Sequence, residues 1–274
     1  MNYILISLVS IIVASISIVG GLGGGVILVP LLVSVFGVPL KVVIGSVLIS
    51  LVVPASIGAW GAWRRHELDF KLALLFETPT AIGAYFGARI TTSLPDEVII
   101  VIFSSISLFL SVNMIKKSLR LRSGEEGQAQ SRFWSFVGNI SPVRILSKQD
   151  EEYHISIPSL ILFGLIIGTL SGMLGVGGGW IKTPLLIIGF QVPTKIATGT
   201  ALFMILITAL VGGTTHILEG NADYWLILSL GIGLGIGANI GNYLRGRMKA
   251  HHISLILGIT LFIISLLFVL PVFL

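Results

Sequence analysis

The stretch "GGLGGGVILVP", Gly20–Pro30, lies inside an uncharged run that extends from Met1 to Leu40. Six of its eleven residues are glycine or proline, the two types that weaken a helix most. A helix broken in such surroundings frees backbone groups where water is scarce. At membrane depth this is tolerated only where the backbone is buried in protein or lines a water-filled cavity.

The rest of the chain makes a membrane the natural surrounding. Of 274 residues, 54% are hydrophobic and 11% are charged, against about 25% charged in soluble domains. Uncharged apolar runs recur at Met1–Leu40, Val42–Trp63, Val98–Ile115, Ile155–Ile181, Ile196–Thr215, Tyr224–Leu244 and Ile253–Leu274. Most reach the roughly 20 residues that a helix needs to cross a bilayer. The expected fold is an all-α polytopic membrane protein. The net charge of +5 fits Lys and Arg gathered in cytoplasmic loops better than a nucleic-acid partner. With no cysteine in the chain, disulfides, thiolate metal sites and cysteine nucleophiles are excluded. The first apolar run has no basic n-region and is followed by more apolar sequence, unlike a signal peptide.

The opening stretch occurs twice. At an offset of 154 residues, Gly21–Lys41 falls on Gly175–Lys195 with 12 of 21 positions identical and no gap. The register continues through Gly45/Gly199, Gly58/Gly212, Asp69/Asp223, Gly83/Gly237 and Gly87/Gly241. Residues 1–115 and 156–274 therefore read as two membrane repeats joined by a polar linker, 116–155. Each repeat divides into five segments, two short ones flanking the glycines and three longer ones. The expected segments are 3–20, 24–36, 42–63, 71–90 and 98–115, then 156–174, 179–190, 196–217, 224–244 and 253–272.

An odd number of segments inverts the second repeat relative to the first. On that topology 14 basic residues share one face, among them Arg64, Arg65, Lys71, Lys195, Arg245, Arg247, Lys249 and seven in the linker. Lys41 and Arg89 lie on the other face, and Lys182 falls inside a segment. The positive-inside rule then makes the linker cytoplasmic and both termini extracytoplasmic. Eight to ten transmembrane helices are compatible with this, because each glycine motif either turns back or passes through. The linker's Phe133–Val137 patch suits either a helix lying at the headgroups or a solvated tether.

Inverted repeats with interrupted helices mark secondary transporters, with the site near the midplane between the repeats. The second piece of a broken helix begins with unpaired amides, which favour anions. Candidate binding residues are Gly23, Gly24, Gly25, Gly177, Gly178 and Gly179, with Ser46, Thr198 and Thr200 on the following spans. Gly231, Gly233, Gly235, Gly237 and Gly241 suit close helix packing instead. Lys182 lies three residues after Gly179, where the first repeat has Leu28. It is either a site charge or a lysine that snorkels to the surface. Glu77 stands beside Thr78-Pro79 with no basic neighbour in sequence; it is either a proton-coupling carboxylate or the partner of a cation on another helix. His216 reads as a residue of the membrane boundary. No nucleophile motif, metal-ligand spacing or cofactor fingerprint is present, so neither an enzyme nor a cofactor is expected. A passive anion channel or uniporter remains the rival to a carrier.

A GxGGG motif followed by Pro-Leu-Leu, Val-Pro and Gly-Ser or Gly-Thr resembles the TauE/SafE sulfite exporter family. The pieces are Gly21–Pro30, Val38-Pro39 and Gly45-Ser46, and again Gly175–Pro184, Val192-Pro193 and Gly199-Thr200. The resemblance implies a prokaryotic inner-membrane permease for a small sulfur-containing anion, such as sulfite or an organosulfonate like sulfoacetate. The expected partners are that anion and the lipid bilayer, with a homo-oligomer left open.

Overall fold

The computed structural model describes residues 3–123, 143–148 and 151–273. The first repeat consists of α1 (Tyr3–Val19), α2 (Gly25–Ser34), α3 (Leu40–Ser50), α4 (Val52–Arg64), α5 (Phe70–Ile90) and α6 (Asp96–Ser123). A hairpin follows, with β1 (Val143–Lys148) antiparallel to β2 (Glu151–Ser156). The second repeat is α7 (Ile157–Leu174), α8 (Gly179–Pro184), a π-helical turn (Leu185–Gly189), α9 (Thr194–Leu218), α10 (Tyr224–Arg247) and α11 (Ala250–Phe273). Starts at Tyr3, Gly25, Leu40, Phe70 and Asp96 recur 154 positions later, at Ile157, Gly179, Thr194, Tyr224 and Ala250. Five helices among the described residues are long and apolar enough to span a bilayer, counting α3 and α4 together.

Proline explains most irregularities inside these helices. Pro54 cannot donate to the Ser50 carbonyl, and the helix is interrupted at Leu51 between α3 and α4. Pro184 likewise closes α8, after which the chain widens into the π turn. The segment expected as one span over 42–63 is thus two helices in line. The segment expected to end at 115 continues as α6 to Ser123.

The two repeats are interlocked. α5 lies along α7, where Gly83 faces the Leu165 and Thr169 backbone and Gly172 faces Ala84. In the corresponding place, Gly233, Gly237 and Gly241 of α10 lie against Ser7, Ile11 and Ser15 of α1. In both pairs the contacts rise together in number, so the two helices run in the same direction. α6 and α11, which occupy equivalent positions in the two repeats, run antiparallel: Gly258 faces Ser111 and Ile115, and Ser118 Oγ donates to the His251 carbonyl (2.8 Å). Small residues are what such contacts need in lipid, where apolar burial between helices yields little. Gly231 and Gly235 differ, facing only Val53.

Two loops fasten one repeat to the other. The Asp69 amide donates to Thr200 Oγ1 (3.0 Å), and the Asp223 amide to Ser46 Oγ (2.8 Å). Both aspartates also cap the helix that follows them, accepting from Lys71 and Leu72 amides or from the Leu226 amide. The hairpin is docked on the same region, since buried Tyr153 donates its hydroxyl to Asp69 Oδ2. Burial and the adjacent carboxylate push the Tyr153 phenol well above its ordinary value, so it remains a donor throughout the working pH range. Tyr153→Phe is expected to cost about 1–3 kcal/mol, the usual penalty for stranding a buried hydrogen-bonded acceptor, with no new pH dependence near neutrality. Thermal unfolding in detergent at two pH values checks both statements. The aromatic patch 133–137 lies outside the described residues.

Candidate functional site

The two glycine motifs meet in the middle of the fold. Gly21, Gly23 and Gly24 have φ of 69°, 77° and 113°; Gly175, Gly177 and Gly178 have 67°, 73° and 71°. This left-handed path is one that side chains oppose, and it lets each loop reverse sharply before its second helix. An added methyl on Gly25 would stand 2.9 Å from Val176 Cα, and one on Gly179 would stand 2.6 Å from the Gly21 carbonyl oxygen. Each loop is therefore the wall of the other. The first intrahelical bonds of α2 are donated to Gly24 O by Ile27 (3.2 Å) and Leu28 (3.1 Å). In α8 they are donated to Gly178 O by Ile181 (3.1 Å) and Lys182 (2.9 Å). The amides of Gly25, Val26, Gly179 and Trp180 precede those bonds, as the first amides of any helix do.

Two apolar side chains close the junction. Leu51 and Ile205, also 154 positions apart, are both fully buried. Leu51 Cδ1 lies beside Gly25 and Gly177, while Ile205 packs against Gly23, Gly177 and Gly179. The junction is closed in this structure.

Lys182 and Glu77 meet beside it. Their side chains are 0% and 2% exposed and form an ion pair with Nζ–Oε2 at 2.6 Å. Thr208 completes the group: Lys182 Nζ lies 2.7 Å from its Oγ1, and that hydroxyl bonds Glu77 Oε1. Of the two readings left open for Lys182, snorkelling is ruled out by its complete burial. Glu77 takes the partnered arrangement. In the first repeat the positions equivalent to Lys182 and Thr208 hold Leu28 and Pro54, while Gly231 stands opposite Glu77 in the second. The charged group therefore belongs to one side of a symmetric frame.

Serine hydroxyls mark both sides of that frame. Ser17 and Ser171, once more 154 apart, stand in the last turns of α1 and α7, just before the glycine loops. Both Oγ atoms are buried without a hydrogen-bond partner in the protein. Ser171 Oγ lies 3.2 Å, and Lys182 Cε 3.0 Å, from where a Gly178 side chain would begin. Trp180 Nε1 is likewise buried and unpartnered, its ring against Phe103 at 4.8 Å. Ser17, Ser171 and Thr208 were not picked out from the sequence, although identity at the repeat offset singles out the two serines.

The hydroxyls of the other expected site residues are taken by further partners, although the Thr198 backbone packs against Gly21. Ser46 and Thr200 accept the loop amides already described, so their hydroxyls fasten the repeats together. Thr198 belongs to a polar cluster at the end of α10, accepting from Arg245 Nη2 at 3.0 Å. Arg245 is 0% exposed and shares Glu67 Oε2 with Arg65, both at 3.0 Å. Arg245 also donates to the Lys195 carbonyl (2.9 Å). His216, expected at the boundary, is fully buried with Nε2 2.8 Å from the Gly172 carbonyl.

Broken helices meeting at a buried, charged centre define a membrane transport protein, and similarity to known proteins agrees. The family model "Sulfite exporter TauE/SafE" matches residues 6–268. The chain belongs to the TauE/SafE family and is a multi-pass membrane transporter. It is 23% identical over 272 residues to the "Probable membrane transporter protein YunE" of Bacillus subtilis, covering 97% of this chain and 96% of that one. It is 24% identical over 225 residues to the "Probable membrane transporter protein YdhB" of the same organism, covering 81% of each. A "Probable membrane transporter protein" of Xylella fastidiosa is 22% identical over 257 residues, covering 92% of this chain and 88% of that one. No solved structure matches the chain at a significant level. Transport rather than catalysis is consistent with this membership.

Proposed function

We propose that the protein is a secondary transporter for a small sulfur-containing anion, working by alternating access between inverted repeats. The observation that carries the reading is the junction of the two glycine loops with Lys182 beside it. The anion would meet the helix-start amides of α2 and α8, the Ser17 and Ser171 hydroxyls and the Lys182 ammonium. Gly23, Gly24, Gly25, Gly177, Gly178 and Gly179 form the frame of this site. Leu51 and Ile205 are the barriers that alternate.

Inversion is supported by the antiparallel packing of α6 against α11. Orientation is supported by the gathering of Arg65, Arg245 and the Lys195 backbone at one end, while the Arg89–Glu219 pair (3.6 Å) belongs to the other. The basic end is cytoplasmic by the positive-inside rule, which leaves both termini outside a prokaryotic inner membrane.

Glu77 explains how a proton enters the cycle. While ionised it holds Lys182; once protonated it releases the ammonium to a substrate oxyanion. Anion and proton then travel together. The test is saturable flux of sulfite and sulfoacetate into liposomes, with and without an imposed pH gradient. Stimulation by the gradient is expected for at least one of them. Saturable flux that ignores the gradient removes Glu77 from coupling and leaves a uniporter, and non-saturable flux leaves a channel. Transport of neither anion overturns the substrate class.

A further inference from the structure

A cleft of about 660 Å³ lies between α4 and α10 at the basic end. Arg64 and Arg65 stand at its end, Trp60 and Ile57 on the α4 wall, Asn239 and Asn242 on the α10 wall. The cleft opens sideways, toward the surroundings of the helix bundle. Trp60 is 56% exposed, and Asn239 and Ser56 are exposed as well. Asn239 Nδ2 donates to the Gly235 carbonyl (2.9 Å) and Ser56 Oγ to the Val52 carbonyl (2.7 Å), each one turn back in its own helix.

The charge around the cleft is one-sided. Arg64, Arg65, Arg245 and Arg247 bring four guanidinium groups to this end. Glu67 accepts Arg65 and Arg245 on one oxygen. Asp69 is taken by Tyr153 and by the first amides of α5. Arg64 and Arg247 instead lie over aromatic rings, Arg64 at 5.4 Å from the Trp60 centroid and Arg247 at 4.2 Å from that of Tyr243. Each wall thus ends in an arginine stacked on an exposed ring, as suits the membrane–water boundary. Next to the cleft, exposed Val53 of α4 faces Gly231 and Gly235 of α10 and extends the surface with apolar contact.

We propose that this cleft binds the headgroup of an anionic phospholipid. The phosphate meets Arg64, with Arg65, which Glu67 and Asn242 hold (3.0 and 2.8 Å), adding its charge; the glycerol-ester region meets Asn239, and an acyl chain lies along Ile57 and Val53. Basic pockets between membrane helices recognise headgroups in this way. None of the residues that line the cleft is among those proposed above to meet the transported anion.

Native mass spectrometry of the full chain, released from nanodiscs of mixed phosphatidylglycerol and phosphatidylcholine, tests the proposal. Retained phosphatidylglycerol is expected, and the double variant Arg64→Gln, Asn239→Leu should lower its occupancy about tenfold. Arg89→Gln is the control. Its guanidinium also stacks on a ring, that of Tyr85 at 4.8 Å, but in the other arginine–aromatic pair, at the opposite end; lipid should stay bound. Equal retention of the two lipids by the wild-type chain overturns the proposal, whatever the variants do. An equal loss in the Arg89 control also overturns it, since charge alone would then account for the effect. Displacement of the lipid by millimolar sulfite or inorganic phosphate reassigns the cleft to a soluble anion and overturns it too.

Discussion

Lys182→Met is expected to lower stability by about 3–5 kcal/mol, the cost of leaving one member of a buried ion pair without its partner. Among the described residues the Lys182 ammonium bonds Glu77 and Thr208, and all three side chains are shut away from solvent. Removing the carboxylate as well, in Lys182→Met with Glu77→Leu, should recover most of that loss. A buried pair adds little net stability over an apolar replacement of similar size. Denaturant unfolding of the two single variants and the double variant checks this as a thermodynamic cycle. If the double variant is as unstable as the two single losses added together, the pair is not coupled as described. Flux separates structure from mechanism: the double variant should fold and still fail to transport. Wild-type flux from it would reduce the pair to scaffolding.

Gly178→Leu is expected to abolish transport while the protein still assembles. Gly178 has φ of 71°, and its missing side chain would start 3.0 Å from Lys182 Cε and 3.2 Å from Ser171 Oγ. The strain of a left-handed side chain is about 1–2 kcal/mol, and the branched chain would fill the space that the proposed site gives the anion. Gly24→Leu should act alike from the other repeat, where φ is 113° and Leu234 lies at 3.2 Å. Gly37 provides the contrast. It also has positive φ (64°), but nothing lies within 4 Å of its side-chain position. The equivalent residue in the second repeat, Gln191, adopts φ of 54° with its side chain in place. Gly37→Gln should therefore transport nearly normally. Flux normalised to monodisperse protein in liposomes is the measurement, and a Gly178→Leu protein that moves anion at the wild-type rate ends the glycine-site reading.

The apolar runs and the 154-residue offset place most segment ends within a few residues, but the helix from Asp96 runs on to Ser123, beyond the apolar run. Lys182 and Glu77 stood out separately as charges in apolar runs. Their pairing did not, since 105 residues and a repeat boundary separate them and only the folded chain brings α5 to α8. Ser46 and Thr200 looked like substrate groups because hydroxyls on membrane helices have many uses. Their part in fastening loop amides depends on neighbours 177 and 131 residues away. The break at Leu51 was missed although Pro54 signalled it. The hairpin at Val143–Ser156 was not anticipated, being short, polar and next to a segment of no periodicity.

The lengthwise pairing of α1 with α10 has a bearing on how the protein is made. α1 begins at Tyr3 and α10 at Tyr224, so the ribosome adds more than two hundred residues between them, on the order of 10–40 s of synthesis at ordinary rates. Throughout that interval the surface of α1 carrying Ser7, Ser10 and Ser15 has not yet met the glycines that will cover it. Ser10 and Ser15 bond carbonyls one turn back in their own helix, Ile6 and Ile11, both at 2.7 Å. These internal bonds allow the first helix to wait in lipid as a self-sufficient unit. Maturation is then the late capture of an early helix, and a nascent chain halted before Tyr224 would present the membrane quality-control machinery with a helix still lacking its mate.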